Sequence, residues 1–275
     1  MSSALAGVAV AARPRAFVRV SGPQAGDYLQ RMVSNDVLAL ASGGSCEALL
    51  LTPKARVIAT LRVLRRANDD FLLLTEPELG EVVRDHLARM RFAARCEVER
   101  EEHESYVVIG EGAASPPNGV AIACDDFGIA ALEVLDTPPP DAPQLDAQEL
   151  ERLRIEAGTP RFGREIDDRV LPAEAGLEER AVSFTKGCYP GQEPVARLRY
   201  RGHVNRSLRV LRIDAPSPPP FDAPIEHGAK SVGRITSAVR VESGVVALGY
   251  VRDEVPIEAA VTVAGAAATM SRPRP

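Results

Sequence analysis

Lys186-Gly187-Cys188-Tyr189-Pro190-Gly191-Gln192-Glu193 is the stretch of this 275-residue chain that departs furthest from ordinary packing logic. Two glycines and a proline in eight residues prevent a regular element, so the backbone is being shaped around something. Pro194 is tolerable only in the first turn of a helix, which predicts a helix from about Gln192 to Leu198. Cys188 stands between Lys186 and that helix start, and both favour thiolate over thiol. A glycine turn with a half-buried structural thiol accounts for the same spacing, since most single cysteines behave as small hydrophobes. Residues 186–212 hold seven basic groups (Lys186, Arg197, Arg199, Arg201, Arg206, Arg209, Arg212) and one acid, Glu193, which makes +6 against −5 for the whole chain. A solvated strand face explains the alternation of Arg197, Arg199 and Arg201. An anion site explains it too, because guanidinium groups bind phosphates and carboxylates in bidentate fashion.

Upstream, Ala16 to Val20 alternates as a strand, and Ser21-Gly22-Pro23 stops it and opens a helix through Tyr28, Leu29 and Met32. Residues 46–52, 56–64 and 70–75 are strand-like runs joined by short turns, which predicts antiparallel pairing. A helix follows, with Leu79, Val82, Val83, Leu87 and Met90 as its apolar face. Further strands are expected at Val98, 106–109, 120–124 and 129–135, without the rhythm of a parallel doubly wound sheet. Residues 136–143 carry four prolines and read as a surface connector. Asp146 with Glu149 forms a capping-box-like pair for a helix that ends at Gly158. From Leu208 onward, short β segments split by Gly and Pro suggest a small barrel.

Composition narrows the function classes. A net charge of −5 with 45% apolar residues excludes a globally basic nucleic-acid binder, though not a local basic patch. Four dispersed cysteines, at 46, 96, 124 and 188, suggest neither a disulfide framework nor a metal site, and reduced thiols in a cytoplasm are expected. No stretch is long enough to span a bilayer, and the run Ala4 to Ala12 reads as a short N-terminal helix rather than a signal peptide. The histidines have no Ser or Cys partner at a diagnostic spacing. The chain has no tryptophan, so ligand stacking has few aromatics to use.

The string Lys186 to Glu193 resembles the signature loop of YgfZ-type proteins, folate-binding relatives of the glycine-cleavage aminomethyltransferase. The likeness extends to Val18-Arg19-Val20-Ser21-Gly22-Pro23, Tyr28-Leu29-Gln30, Ser34-Asn35-Asp36-Val37 and Leu51-Thr52-Pro53-Lys54-Ala55-Arg56. It continues through 153–158, 172–177, 233–237 and 247–250, nearly the whole chain. This resemblance implies an α+β fold: antiparallel ferredoxin-like subdomains around a central channel, plus a small C-terminal β-barrel. The folate-binding region would occupy 1–205, as two interleaved subdomains with the connector near 136–143, and the barrel 206–275. Carried over by position, Lys186, Gly187, Cys188, Tyr189, Gly191, Gln192 and Glu193 are signature residues, with Cys188 and Lys186 the expected catalytic pair. Charge, rather than the motif, makes Arg197, Arg199 and Arg201 candidates for the glutamyl tail of tetrahydrofolate, the expected cofactor, which can be polyglutamylated.

The sequence departs from the aminomethyltransferases in two places. Leu72 to Glu78 lacks the Asn-rich stretch that precedes their catalytic aspartate, and Phe127-Gly128-Ile129 puts an apolar residue where they carry a pteridine-binding glutamate. The leading expectation is therefore a cytoplasmic, monomeric, tetrahydrofolate-binding accessory protein for iron–sulfur cluster assembly or repair. Its partners would be cluster-assembly or client proteins, and through them tRNA thiolation, with no membrane involved. A folate-dependent aminomethyl or one-carbon transferase is the alternative, and a direct tRNA-binding protein using the +6 stretch is a third reading.

Overall fold

The computed structural model describes residues 7–113, 115 and 119–274. In chain order the first elements are β1 (Ala9–Ala12), β2 (Ala16–Ser21), α1 (Ala25–Met32), β3 (Ser45–Leu51), β4 (Val57–Ala67), β5 (Asp70–Thr75), α2 (Gly80–Met90) and β6 (Glu97–Glu101). Strands β2 to β6 form a five-stranded antiparallel sheet in the order β3-β4-β5-β2-β6. Inward residues Val18, Val20, Leu50, Val63, Phe71 and Leu73 pack on Leu29 of α1 and on Val83 and Leu87 of α2. The Tyr28 hydroxyl donates to the Leu87 carbonyl at 2.6 Å, joining the two helices without leaving a buried polar group unpaired. Val82 falls on the solvent side of α2 rather than on the expected apolar face.

The next elements are β7 (Ser105–Ile109), β8 (Val120–Cys124), β9 (Ala131–Leu135) and α3 (Ala147–Ala157). They make a second antiparallel sheet, β1-β7-β9-β8. The expected N-terminal helix is thus corrected: Ala9–Ala12 is a strand paired with Tyr106–Ile109, and residues 1–6 lie outside the described residues. Alanine's helix propensity is a weak prior, and ladder pairing with burial of Val10 and Ala11 overrides it. Helix α3 begins as expected, with the Asp146 carboxylate accepting from the Glu149 N–H at 2.8 Å. It ends at Gly158, left-handed at φ 84°, where a Cβ would meet Pro273 at 2.5 Å.

After α4 (Glu178–Ala181) and α5 (Gln192–Arg201) come β10 (Arg206–Ile213), β11 (Pro224–His227), β12 (Lys230–Val241), β13 (Gly244–Arg252), β14 (Val261–Val263) and β15 (Ala266–Ser271). These six strands close into the barrel that the sequence suggested, in the order β10-β13-β12-β11-β14-β15, which leaves no open edge. Helix α3 packs between the second sheet and the barrel strands β12 and β13.

Candidate functional site

A cavity of about 560 Å³ opens where the two sheets, α3 and α4 meet, within the size range of small-molecule sites. Its wall comes from the turn between β1 and β2, from β3, β4 and the end of β5, from Asp126 and Phe127, from α3, from residues 159–164, and from α4. One side is a buried network of arginines and acids. Arg15 pairs with Glu133 at 2.9 Å, Arg62 with Glu47 at 2.8 Å, and Arg13 with Asp126. Arg180 reaches Glu47, Asp125 and Asp126 at 2.7–2.8 Å.

Burial pushes the Glu133 and Asp126 carboxyls up, but neighbouring guanidiniums outweigh it: Arg13 and Arg15 hold Glu133 below the ordinary range, and Arg13 and Arg62 hold Asp126 well below it. Glu47, Asp125 and Asp126 bring carboxylate oxygens within 4.8 Å of one another, a spacing that could ligate a cation. Arg180 bonds to all three, so a guanidinium already supplies the positive charge there. Arg62 keeps a buried Nε with no acceptor among the described residues, a donor left over at the cavity wall.

The other side of the cavity is held from behind by the barrel. Arg154 bonds to Glu151 at 2.7 Å, to Glu165 at 2.9 Å and to the Ser237 hydroxyl at 3.0 Å. Ser237 in turn donates to Glu165 at 2.7 Å, and the Tyr250 hydroxyl donates to the Glu165 carbonyl at 2.9 Å. At the rim, Arg161 stands 3.5 Å from Glu151, and exposed Arg164 lies over the Phe221 ring without a carboxylate partner among the described residues.

The signature loop lies outside this cavity's lining. The Lys186 ammonium is buried and donates to three carbonyls, Gln30 at 2.5 Å, Val33 at 2.6 Å and Asn35 at 3.0 Å. Burial pushes it down to about 8, while Asp36 and Cys46 favour the charged form. Tyr189 is buried, with the Lys186 ammonium 5.2 Å from its ring, and burial pushes its hydroxyl up to about 12. Gly191 is left-handed at φ 85°, where a Cβ would meet the Thr52 carbonyl at 2.7 Å and Ala55 at 3.2 Å. A Cβ on Gly187 would meet nothing within 4 Å.

These contacts explain why the sequence landmarks occur together. Ser34 donates to the Ala181 carbonyl at 2.6 Å, Lys186 binds the 30–35 segment, and Gly191 sits on Thr52 to Ala55. The loop thereby presents Cys188, which is exposed, whereas Cys46 is half-buried and Cys96 and Cys124 are buried. Burial pushes Cys46 and Cys124 up to about 11.

Gln192 begins α5 half-buried, and Glu193 is exposed in its first turn, 3.0 Å from Arg197. Arg197, Arg199 and Arg201 lie on this helix, not on a strand, so Arg199 faces away from the other two. None of the three lines the cavity. Arg199 lies over Phe184 and about 4 Å from Glu178 and Glu179. Further along, Arg206 pairs with Glu174 at 3.0 Å, Arg209 with Asp253 at 3.2 Å, and Arg212 stands 3.9 Å from Glu156. The +6 counted along the chain is thus offset in space by acids from other segments. Sequence reasoning missed the cavity arginines, because they come from segments far apart and carry no local motif.

No family model matches the chain. A Haemophilus influenzae protein described as uncharacterized is 28% identical over 232 residues, 82% of this chain and 82% of that one. The tRNA-modifying protein YgfZ of Edwardsiella ictaluri is 28% identical over 266 residues, 82% of this chain and 78% of its own. Its Klebsiella pneumoniae namesake is 25% identical over 264 residues, 83% of this chain and 80% of its own. Among solved structures, the glycine cleavage system aminomethyltransferase T of Bartonella henselae superposes with a TM-score of 0.80 at 19% identity, covering 97% of this chain and 87% of that one. These likenesses bear out the resemblance drawn from the signature loop and the landmarks around it. No helix among the described residues is long and apolar enough to cross a membrane.

Proposed function

We propose that this chain, YgfZ-like in sequence and aminomethyltransferase-like in fold, binds a reduced folate in its central cavity and supports iron–sulfur enzymes, including those that modify tRNA. The observation that carries the reading is the 560 Å³ cavity with two unlike ends. The inner end offers the unpaired Arg62 Nε and the polar wall built by Arg13 and Asp126, suited to the hydrogen-bonding edge of a pteridine. The rim offers Arg161 and Arg164 to carboxylates, a role the sequence had suggested for Arg197, Arg199 and Arg201.

Cys188 is the exposed thiol that can meet a client's sulfur or iron. One thiolate does not hold a cluster alone, since clusters take about four ligands, so the partner supplies the rest. The protein works as a monomer in the cytoplasm, where Cys188 stays reduced.

Calorimetric titration with tetrahydrofolate and its triglutamate tests the cavity. The triglutamate binds more tightly, and Arg161→Ala with Arg164→Ala removes that advantage; absence of binding by either form overturns the folate reading. For the thiol, full rescue of cluster-enzyme activity in a deletion strain by Cys188→Ala would overturn its role.

A further inference from the structure

A second groove, about 390 Å³, lies apart from the central cavity at the end of α2. Its floor is Tyr28, Met32 and Met90, and its rim is Arg31, Arg91 and Phe92. Phe92 is 83% exposed and sits at φ 48°, a conformation that bulky residues rarely adopt. A short turn therefore holds an aromatic ring out in water, at a cost both in exposure and in backbone strain.

The charge in the turn that carries the ring has one sign. Residues 89–95 contain Arg89, Arg91 and Arg95 and no acid. Arg91 is tied to the Cys96 carbonyl at 2.6 Å and to Glu97 at 3.1 Å. Arg31 and Arg95 are exposed, and their guanidiniums have no partner among the described residues. Arg95 is placed beside the groove by its backbone N–H, which donates to Gln24, another groove residue, at 2.8 Å.

An exposed flat ring on a groove that Arg31 lines and the Arg95 backbone adjoins matches the chemistry of unpaired nucleotides, whose bases stack on aromatics while arginines track the phosphates. An apolar peptide anchor would be met instead by a site depleted of charge at its centre. We propose that this groove binds a single-stranded RNA segment, with a base on Phe92 and phosphates on Arg31 and Arg95. The site is distinct from the folate cavity and from α5, and it does not depend on the folate reading.

The test uses the full chain without folate and a fluorescein-labelled decauridylate, followed by anisotropy between 50 and 200 mM salt. Phe92→Ala should weaken binding about 5- to 150-fold with an unchanged salt slope. Phe92→Leu, which keeps an apolar side chain, should weaken it as well. Arg31→Ala with Arg95→Ala should lower the log–log salt slope by about 1.4, roughly 0.7 per phosphate contact.

A same-length RNA duplex should bind more weakly. Thermal melts confirm that each variant is folded. No binding by the parent, equal binding by Phe92→Ala, loss of binding on Arg199→Ala with Arg201→Ala instead, or preference for a hexaglutamate-leucine peptide would each overturn the proposal.

Discussion

Replacing Lys186 by methionine separates a scaffolding role for this lysine from a chemical one. The substitution keeps the length of the stem and removes the three donors to Gln30, Val33 and Asn35. Three orphaned carbonyls at about 2 kcal/mol each come to about 6 kcal/mol. Against this, the ammonium's own burial is relieved. Its depression from 10.5 to about 8 corresponds to about 3 kcal/mol at 1.36 kcal/mol per unit. The net loss is about 3 kcal/mol, or about 6 to 12 °C in melting temperature for a protein of this size.

The pH dependence has a definite sign. Between about 8 and 10.5 the unfolded lysine keeps a proton that the folded one has released, so the parent's advantage over the variant grows as pH rises through that window. Differential scanning calorimetry at pH 7, 8.5 and 9.5, with iodoacetamide alkylation of Cys188 at pH 7.5, reads both roles. The alkylation rate should stay at the parent value in the folded variant. A melt within 2 °C of the parent together with slowed alkylation would refute the scaffold and make Lys186 the activator of the thiol.

Other perturbations follow from the same contacts. Gly191→Ala should destabilise by about 1–3 kcal/mol, because it forces a left-handed alanine into the Thr52 carbonyl, whereas Gly187→Ala should stay within about 0.5 kcal/mol; urea midpoints compare the two. His103 is pulled down by burial but raised further by Asp136 at 2.6 Å and Glu101 at 2.9 Å, so its folded value lies above 6.5. His103→Gln should therefore lose stability at pH 5.5, and the loss should vanish as pH rises through that raised value, as urea denaturation at pH 5.5 and 8.5 will show. Brief alkylation at pH 7.5 followed by peptide mass spectrometry should modify Cys188 ahead of the buried Cys96 and Cys124 and the half-buried Cys46.

Much of the architecture was legible because its signals are local. Asp146 and Glu149 sit at a helix start, Gly158 at its end, and the Gly-Pro-Gly content of the signature loop marks a shaped backbone. The short β segments after Leu208 suggested the barrel, and the resemblance supplied the subdomains around a central channel. What could not be read depends on distance in sequence: Glu47 and Arg180 are 133 residues apart, Arg15 and Glu133 are 118 apart, and neither pair has a spacing to recognise. The basic run misled for the same reason. A sum along the chain does not see Glu174 or Asp253, which meet Arg206 and Arg209 only after folding. Ala9–Ala12 and Val82 show the limit of periodicity in short or marginal segments, where pairing with a distant strand or the tilt of a helix decides the outcome.

The barrel contributes no residue to the central cavity among those described, yet Ser237 and Tyr250 fasten Glu165, and Glu165 fastens Arg154 in the cavity wall. Strands β12 and β13 are thus tied to the cavity wall through side-chain hydrogen bonds. A ligand that tightens residues 159–165 would be felt by β12 and β13 through two side chains, Ser237 and Tyr250. Folate added to the whole protein should raise the melting of barrel and cavity together, as a single transition, and amide exchange in the barrel strands should slow with occupancy of a pocket that they never touch.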